Sequence, residues 1–403
     1  MRIVSIEAFA LQVPLAEPYW GSRAWGGQES DADKNSDAAW HGFPALGRLQ
    51  PAYADGICTV IVKVVVDCGL VGWGEAKAPV APRVARNVVT DLLTHRLLGK
   101  DPRDVVPLWE NMYSSMRLRG HSHGFLLEAM SGVDMVLWDL LGKSLNTPVY
   151  RLLGGAFRRR IPVYASAVRG LGPEATPEEW KSLEQEATSF LERGFPAMKM
   201  AGGHGVEADL DSARRIREII GHEIELYVDA AERYSVPQAI QLARSLERLD
   251  IGFLEAPVPA EDLDGYAELA GRTSVPIAND LLVNRHETLQ LLLRRGLGLV
   301  QPDVCRAGGI TGCLRIAQLA DVFGVPFQPH VSLGSAIHFA ASLHLAATAP
   351  NLFRMEFWAG NNPLGESVLR KPLLTLENGF VLVPEEPGLG VDVDEEKLLQ
   401  HAL

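Results

Sequence analysis

Lys199, Asp229, Glu255, Asp280, Asp303, His330 and Glu356 each stand at or just after the end of a short apolar run. Carboxylates, a lysine and a histidine are the side chains of proton transfer and charge stabilisation. Singly, each has a plainer reading. Asp229 suits a helix N-cap, Lys199 could balance neighbouring carboxylates, and His330 suits a satisfied core histidine. Glu255 is harder to dismiss, because an acid between Gly252-Phe253-Leu254 and Ala256-Pro257 has no obvious capping role. The repetition decides: polar groups close one apolar run after another, more often than random turns would give.

The runs themselves set the frame. Val163–Ser166, Ala197–Met200, Ile224–Val228, Gly252–Leu254, Val275–Ala278, Leu297–Val300, Pro326–Gln328 and Phe353–Met355 give eight strand candidates, most preceded by a helical stretch. Strand–helix alternation implies parallel pairing, and this many repeats predicts a closed TIM-type barrel, whose chemistry sits at the C-terminal ends of the strands. An open doubly wound sheet is the alternative, weakened because no GxGxxG follows the first barrel strand.

Residues 1–125 read as an α+β capping domain. Its opening strand is Met1–Leu15, and Thr59–Val66 is too β-branched for anything but a strand. A turn at Asp67-Cys68-Gly69 then pairs Leu70–Glu75 back as a hairpin. Residues 126–365 hold the barrel, entered through an amphipathic helix over Ala129–Leu140. Residues 366–403 are strand-like and turn-rich, and are expected to return to the capping domain. Together these predict an α/β (β/α)7β barrel with an N-terminal α+β cap.

Composition narrows the function classes. A net charge of -12 excludes a non-specific nucleic-acid binder, which needs clustered Lys and Arg; the run Arg158-Arg159-Arg160 is too short. No stretch approaches the roughly 18 uninterrupted apolar residues of a membrane helix, and the first residues lack the pattern of a secretory signal. Four cysteines without CxxC or zinc spacing fit reduced thiols, so a cytoplasmic protein is expected.

The order Lys199, Asp229, Glu255, then Gln301-Pro302-Asp303-Val304 through Arg306-Ala307-Gly308-Gly309-Ile310-Thr311, then Pro329-His330, then Glu356 resembles the mandelate racemase branch of the enolase superfamily. So does the helix from Ser131-Gly132-Val133-Asp134 through Trp138-Asp139. The stretch from Met355 to Leu373 looks like sugar-acid dehydratases and galactarolactone cycloisomerase. The resemblance implies a magnesium ion held by three carboxylates, which grips a substrate carboxylate while a base removes the α-proton. Carried over residue by residue, Asp229 and Glu255 are metal ligands and His330 is the base, its ring held by Asp303. Glu356, if protonated, donates a hydrogen bond to the developing oxyanion. The resemblance also implies a symmetric homo-oligomer, from dimer to octamer, acting on a small carboxylate.

Two departures matter. The family's second strand reads Lys-x-Lys, its second lysine serving as a base; here the sequence is Lys199-Met200-Ala201. Lys199 still points into the mouth and is expected to contact a substrate carboxylate. On the fifth strand the family's third ligand, a Glu, is replaced by Leu281. Asp280 is next door but nominally faces the other way, so it substitutes only where the strand end bends or water bridges. Magnesium binding is then weakened, or lost if Leu281 breaks the site.

These losses rank the chemistries. A racemase or epimerase needs a base on each face of the α-carbon, so Ala201 counts against it. β-Elimination needs one base, which favours dehydration of a sugar acid or ring opening of its lactone. The alternative from another class is a degenerate homologue that binds an acid or a partner protein without turnover. The long segment from Pro18 to Tyr53 could form a lid in which Arg23 and Trp25 meet the substrate, or a disordered or dimer-contacting loop. His121 and His123 read as surface histidines.

Overall fold

The computed structural model describes residues 1–15, 56–281 and 284–403. Arg23, Trp25 and the rest of the expected lid lie outside the described residues.

Strand β1 (Ile3–Pro14) pairs antiparallel with β2 (Gly56–Val66), and β2 with β3 (Val71–Ala76), giving the cap sheet. Its inner face is Val60, Val62 and Val64 from the β-branched run, all fully buried. The sheet packs on the helix Phe125–Ser144, buried over most of its surface. Gly74 on β3 makes that packing possible: a Cβ there would strike the backbone carbonyl of Gly132. The close approach carries the end of β3 towards the barrel mouth.

The barrel strands follow the eight expected runs. β4 (Arg160–Arg169), β5 (Ala197–Ala201), β6 (Glu225–Asp229), β7 (Ile251–Glu255), β8 (Ile277–Asn279) and β9 (Leu299–Val300) pair in parallel and in sequence order. β10 (Met355–Trp358) closes the ring by pairing parallel with β4. The seventh position differs from expectation: in place of a strand over Pro326–Gln328, only Phe327 bridges, to Val300 on one side and Leu352 on the other. Pro326 and Pro329 bracket it, and proline supplies no N–H to a ladder.

Inside the barrel, Tyr164, Ala197, Tyr227, Phe253, Ala278 and Leu299 form a separate apolar floor. Tyr227 stacks on Phe253 at 4.1 Å between centroids, and Tyr164 meets Tyr227 edge-on. The polar residues of the mouth therefore stand on a dry base. Below, β11 (Leu376–Glu377) and β12 (Phe380–Leu382) form a hairpin paired antiparallel to the start of β4. The tail then reaches the cap sheet: Ala402 bridges to Leu11, and Lys63 on β2 bonds Glu395 at 2.6 Å. Among the described residues, no helix is long and apolar enough to cross a membrane.

Candidate active site

The mouth is built by strand ends. Lys199 on β5, Asp229 at the end of β6, Glu255 at the end of β7 and Glu356 on β10 converge above the apolar floor. The Lys199 ammonium lies 2.9 Å from both oxygens of Glu255, 2.9 Å from Glu356 and 3.9 Å from Asp229. Gln301 donates its amide to Glu255 at 2.7 Å. Lys199 is thus enclosed by acids and 4% exposed.

One ammonium among this many acids leaves a charge deficit. Burial, with Asp280 close by, pushes Asp229 up to about 6, although Lys199 pulls the other way. Burial likewise drives Glu255 well above the usual carboxylate range, again against Lys199. Burial works against Lys199 too, yet Glu255 and Glu356 hold its pKa well above the ordinary lysine value. A cluster of hard oxygen donors that is reluctant to ionise in the absence of more positive charge is the donor set of a hard divalent cation. The nearest atoms of Glu255, Asp280 and His330 lie within 4.8 Å of one another. The residues fit a metal.

Asp280 departs from its expected direction. β8 ends at Asn279, so strand alternation stops there. The Asn279 amide turns away to the Tyr266 hydroxyl, while its oxygen accepts from the Leu281 N–H at 2.6 Å. The Asp280 carboxylate then faces the mouth, 3.6 Å from Arg306 and 3.6 Å from Nε2 of His330. Leu281 lines a neighbouring cavity of about 460 Å³ with His123, Glu128, Glu261, Glu287 and Arg306. His123, expected at the surface, is exposed and pairs with Glu287 and Asn284 at that cavity's edge.

Opposite stands the dyad. His330 Nδ1 lies 2.9 Å from Oδ2 of Asp303, so its Nε2 faces the mouth, 3.5 Å from Glu356. Asp303 is fully buried, which alone would raise its pKa, but His338, Lys77 and His330 hold it well below the usual carboxylate range. An ionised Asp303 fixes the imidazole with its proton on Nδ1 and Nε2 open as a base. The dyad partner is thus permanently charged.

Glu356 is buried beside the base. Burial would raise it, but Lys199, His330 and the Ser166 hydroxyl hold it down to about 2. A carboxylate only accepts: Oε2 takes the Val331 N–H at 2.9 Å. The expected donation to an oxyanion requires a proton that these neighbours disfavour.

Several site residues were not singled out from the sequence. Lys77, just past β3, reaches Asp303 at 3.3 Å and also bonds Ser332. His338, in the apolar helix Ala336–Thr348, lies 3.1 Å from the other oxygen of Asp303. Their signals were faint: a cation directly after a strand, and a histidine interrupting an apolar helix. Ala231, Glu232 and Ala256, immediately past the metal-facing acids, adopt left-handed backbone, the kind of strain that clusters at functional rims.

Known proteins place this geometry. Residues 182–397 match the family described as enolase C-terminal domain-like, and residues 55–154 match the mandelate racemase / muconate lactonizing enzyme N-terminal domain. The chain is 34% identical to D-galactarolactone cycloisomerase of Agrobacterium fabrum, over 85% of this chain and 91% of the relative. It is 36% identical to D-galactonate dehydratase of Xanthomonas euvesicatoria, over 84% of this chain and 90% of the relative. Among solved structures, the 3,6-anhydro-D-galactonate cycloisomerase of Zobellia galactanivorans superposes with a TM-score of 0.83 at 32% identity, covering all of both chains. A racemase of Streptomyces coelicolor with bound magnesium superposes at 0.82 and 26% identity, also over all of both chains.

Proposed function

The chain belongs to the mandelate racemase / muconate lactonizing enzyme branch of the enolase superfamily, and from that premise we propose that it is a sugar-acid dehydratase or sugar-lactone cycloisomerase using one base, His330. The observation that carries this reading is the asymmetry of the mouth: a complete His330–Asp303 dyad on one side, and Ala201 where the family's second base stands.

Asp229, Glu255 and Asp280 are the residues that would hold Mg²⁺. When bound, the ion supplies positive charge to a substrate carboxylate and so acidifies the α-proton. Nε2 of His330 takes that proton, and Asp303 stabilises the imidazolium that results. In a dehydration the C2–H and C3–O bonds break, and His330 returns the proton to the departing hydroxyl as water leaves. The enol product then gains a proton at C3 and becomes the 2-keto-3-deoxy acid. Lys199 keeps Glu255 and Glu356 in place, and Glu356 steadies the Val331 N–H beside the base. Access is for a small carboxylate, with Arg306 and Glu128 at the approach.

The test is turnover of D-galactonate, arabinonate and D-galactarolactone with Mg²⁺, followed by NMR, for the unmutated protein and His330→Asn. The reading expects a keto-deoxy or ring-opened product that the variant does not form. Product formed equally by the variant would remove His330 as the base, and none from any of the three would favour the degenerate binder instead.

A further inference from the structure

Among the described residues, the end of the cap sheet reaches the dyad through Lys77. Lys77 follows β3 and is anchored twice: its backbone N–H donates to the Cys305 carbonyl at 3.3 Å, and its ammonium meets Asp303 Oδ2 at 3.3 Å and the Ser332 hydroxyl. Asp303 Oδ2 is the same oxygen that holds His330. Oδ1 accepts the Cys305 N–H at 2.7 Å, and Nε2 of His338 lies 3.1 Å from it. Two residues earlier, Glu75 accepts from Thr59, from Ser335 and from the His338 N–H. The end of β3 is therefore wedged between the segment carrying Asp303 and the segment from His330 to Ser335.

We propose that Lys77 is a positioning residue for the dyad, clamping Asp303 and the His330–Ser332 segment together so that Nε2 is aimed at the α-carbon. The inference rests on the dyad reading above. Three features favour positioning over substrate contact. The side chain is only 10% exposed, both partners of its ammonium are protein groups, and one of them shares an oxygen with the base. Lys77 does not restore the base lost at position 201, because it stands on the same carboxylate oxygen as His330 and so on the same side of the substrate. The clamp also makes cap docking a condition for catalysis, since Glu75 at the end of β3 and Lys77 just past it arrive together.

A positioning group sets kcat and leaves KM alone, since it acts on the base and not on bound substrate. With D-galactonate, arabinonate and D-galactarolactone as probes, Lys77→Met is expected to lower kcat roughly 10²-fold, the scale for misplacing a catalytic group by about an ångström. KM should stay within about threefold. Lys77→Arg should recover most of the loss, because it returns a cation to the same place. Ser332→Ala, which cuts the clamp from the barrel side, should lower kcat less and also spare KM; it carries the test if Lys77→Met does not fold. Unchanged kcat in Lys77→Met or in Ser332→Ala would overturn the proposal, as would a rise in KM alone or no recovery with arginine. Run alongside, His330→Asn separates the cases: if it is inactive while Lys77→Met is unimpaired, the dyad stands and only the clamp falls. If His330→Asn is fully active, the dyad reading itself fails.

Discussion

The two halves of the barrel mouth are built from the same residue types and stand in opposite electrostatic states. On the side of β9, Phe327 and β10, Asp303 and Glu356 are buried yet held low, because cations and N–H donors face them from several directions. On the side of β6 and β7, Asp229 and Glu255 are equally buried and pushed up, with Lys199 their shared ammonium. The first half holds the dyad on which the proposed function rests. The second is a set of oxygen donors short of positive charge. Ala201 on β5 and Leu281 just past β8 flank the second half, so on the proposed reading they cost a base and a ligand without touching the dyad.

The sharpest break in that comparison is His330→Asn, expected to lower kcat by roughly 10³- to 10⁴-fold, the scale of general base catalysis. Activity at the unmutated level would mean the first half is not the working half. Next is Asp229→Ala. Calorimetric titration should show Mg²⁺ binding to the unmutated protein, and binding weakened at least roughly 10-fold in the variant, whose donor set loses a charge. If the unmutated protein binds no Mg²⁺, Leu281 has broken the site and the second half is not a metal site.

Lys199→Met probes the charge deficit directly. Removing the cation from buried carboxylates should destabilise the metal-free protein by about 3–5 kcal/mol, read from denaturant midpoints; added Mg²⁺ should recover part of the loss. A variant as stable as the parent would show that the acids do not depend on Lys199.

The smallest effect serves as a control. Asp134 lies outside both halves, bound to the Thr311 N–H at 2.9 Å and to its hydroxyl, and burial pushes it to about 7 despite those bonds. A carboxyl whose folded pKa is raised favours the fold when protonated, so its contribution falls as pH rises from about 4 to 7. Asp134→Asn should flatten that dependence by on the order of 2 kcal/mol between pH 5 and 8. An unaltered profile would show that burial alone does not set these states.

Much of this was legible in the sequence, for a physical reason. A barrel places strand ends in one ring whatever lies between them, so reading the last residue of each apolar run located Lys199, Asp229, Glu255, Asp303, His330 and Glu356 without any knowledge of contacts. The rest depended on three-dimensional neighbours. Asp280 was named as the third ligand on condition that the strand end bends, and the end of β8 at Asn279 depends on contacts that alternation does not show. Glu356 was read as a donor only if protonated, and the neighbours that bear on its proton, Lys199 above all, lie far along the chain. Lys77 went unnoticed because it belongs to the cap, 226 residues before its partner Asp303, and no periodicity links the two.

The most direct test of the one-base account is the stereochemistry at C2 during turnover. D-galactonate or arabinonate would be incubated with the protein and Mg²⁺ in D₂O, and the remaining acid recovered part-way through the reaction and examined by NMR. The account predicts a keto-deoxy product beside substrate that keeps its original configuration, because no second base can deliver a proton to the opposite face. Accumulation of the C2 epimer would contradict it, and would mean that a group other than the missing lysine at position 201 serves the other side of the mouth.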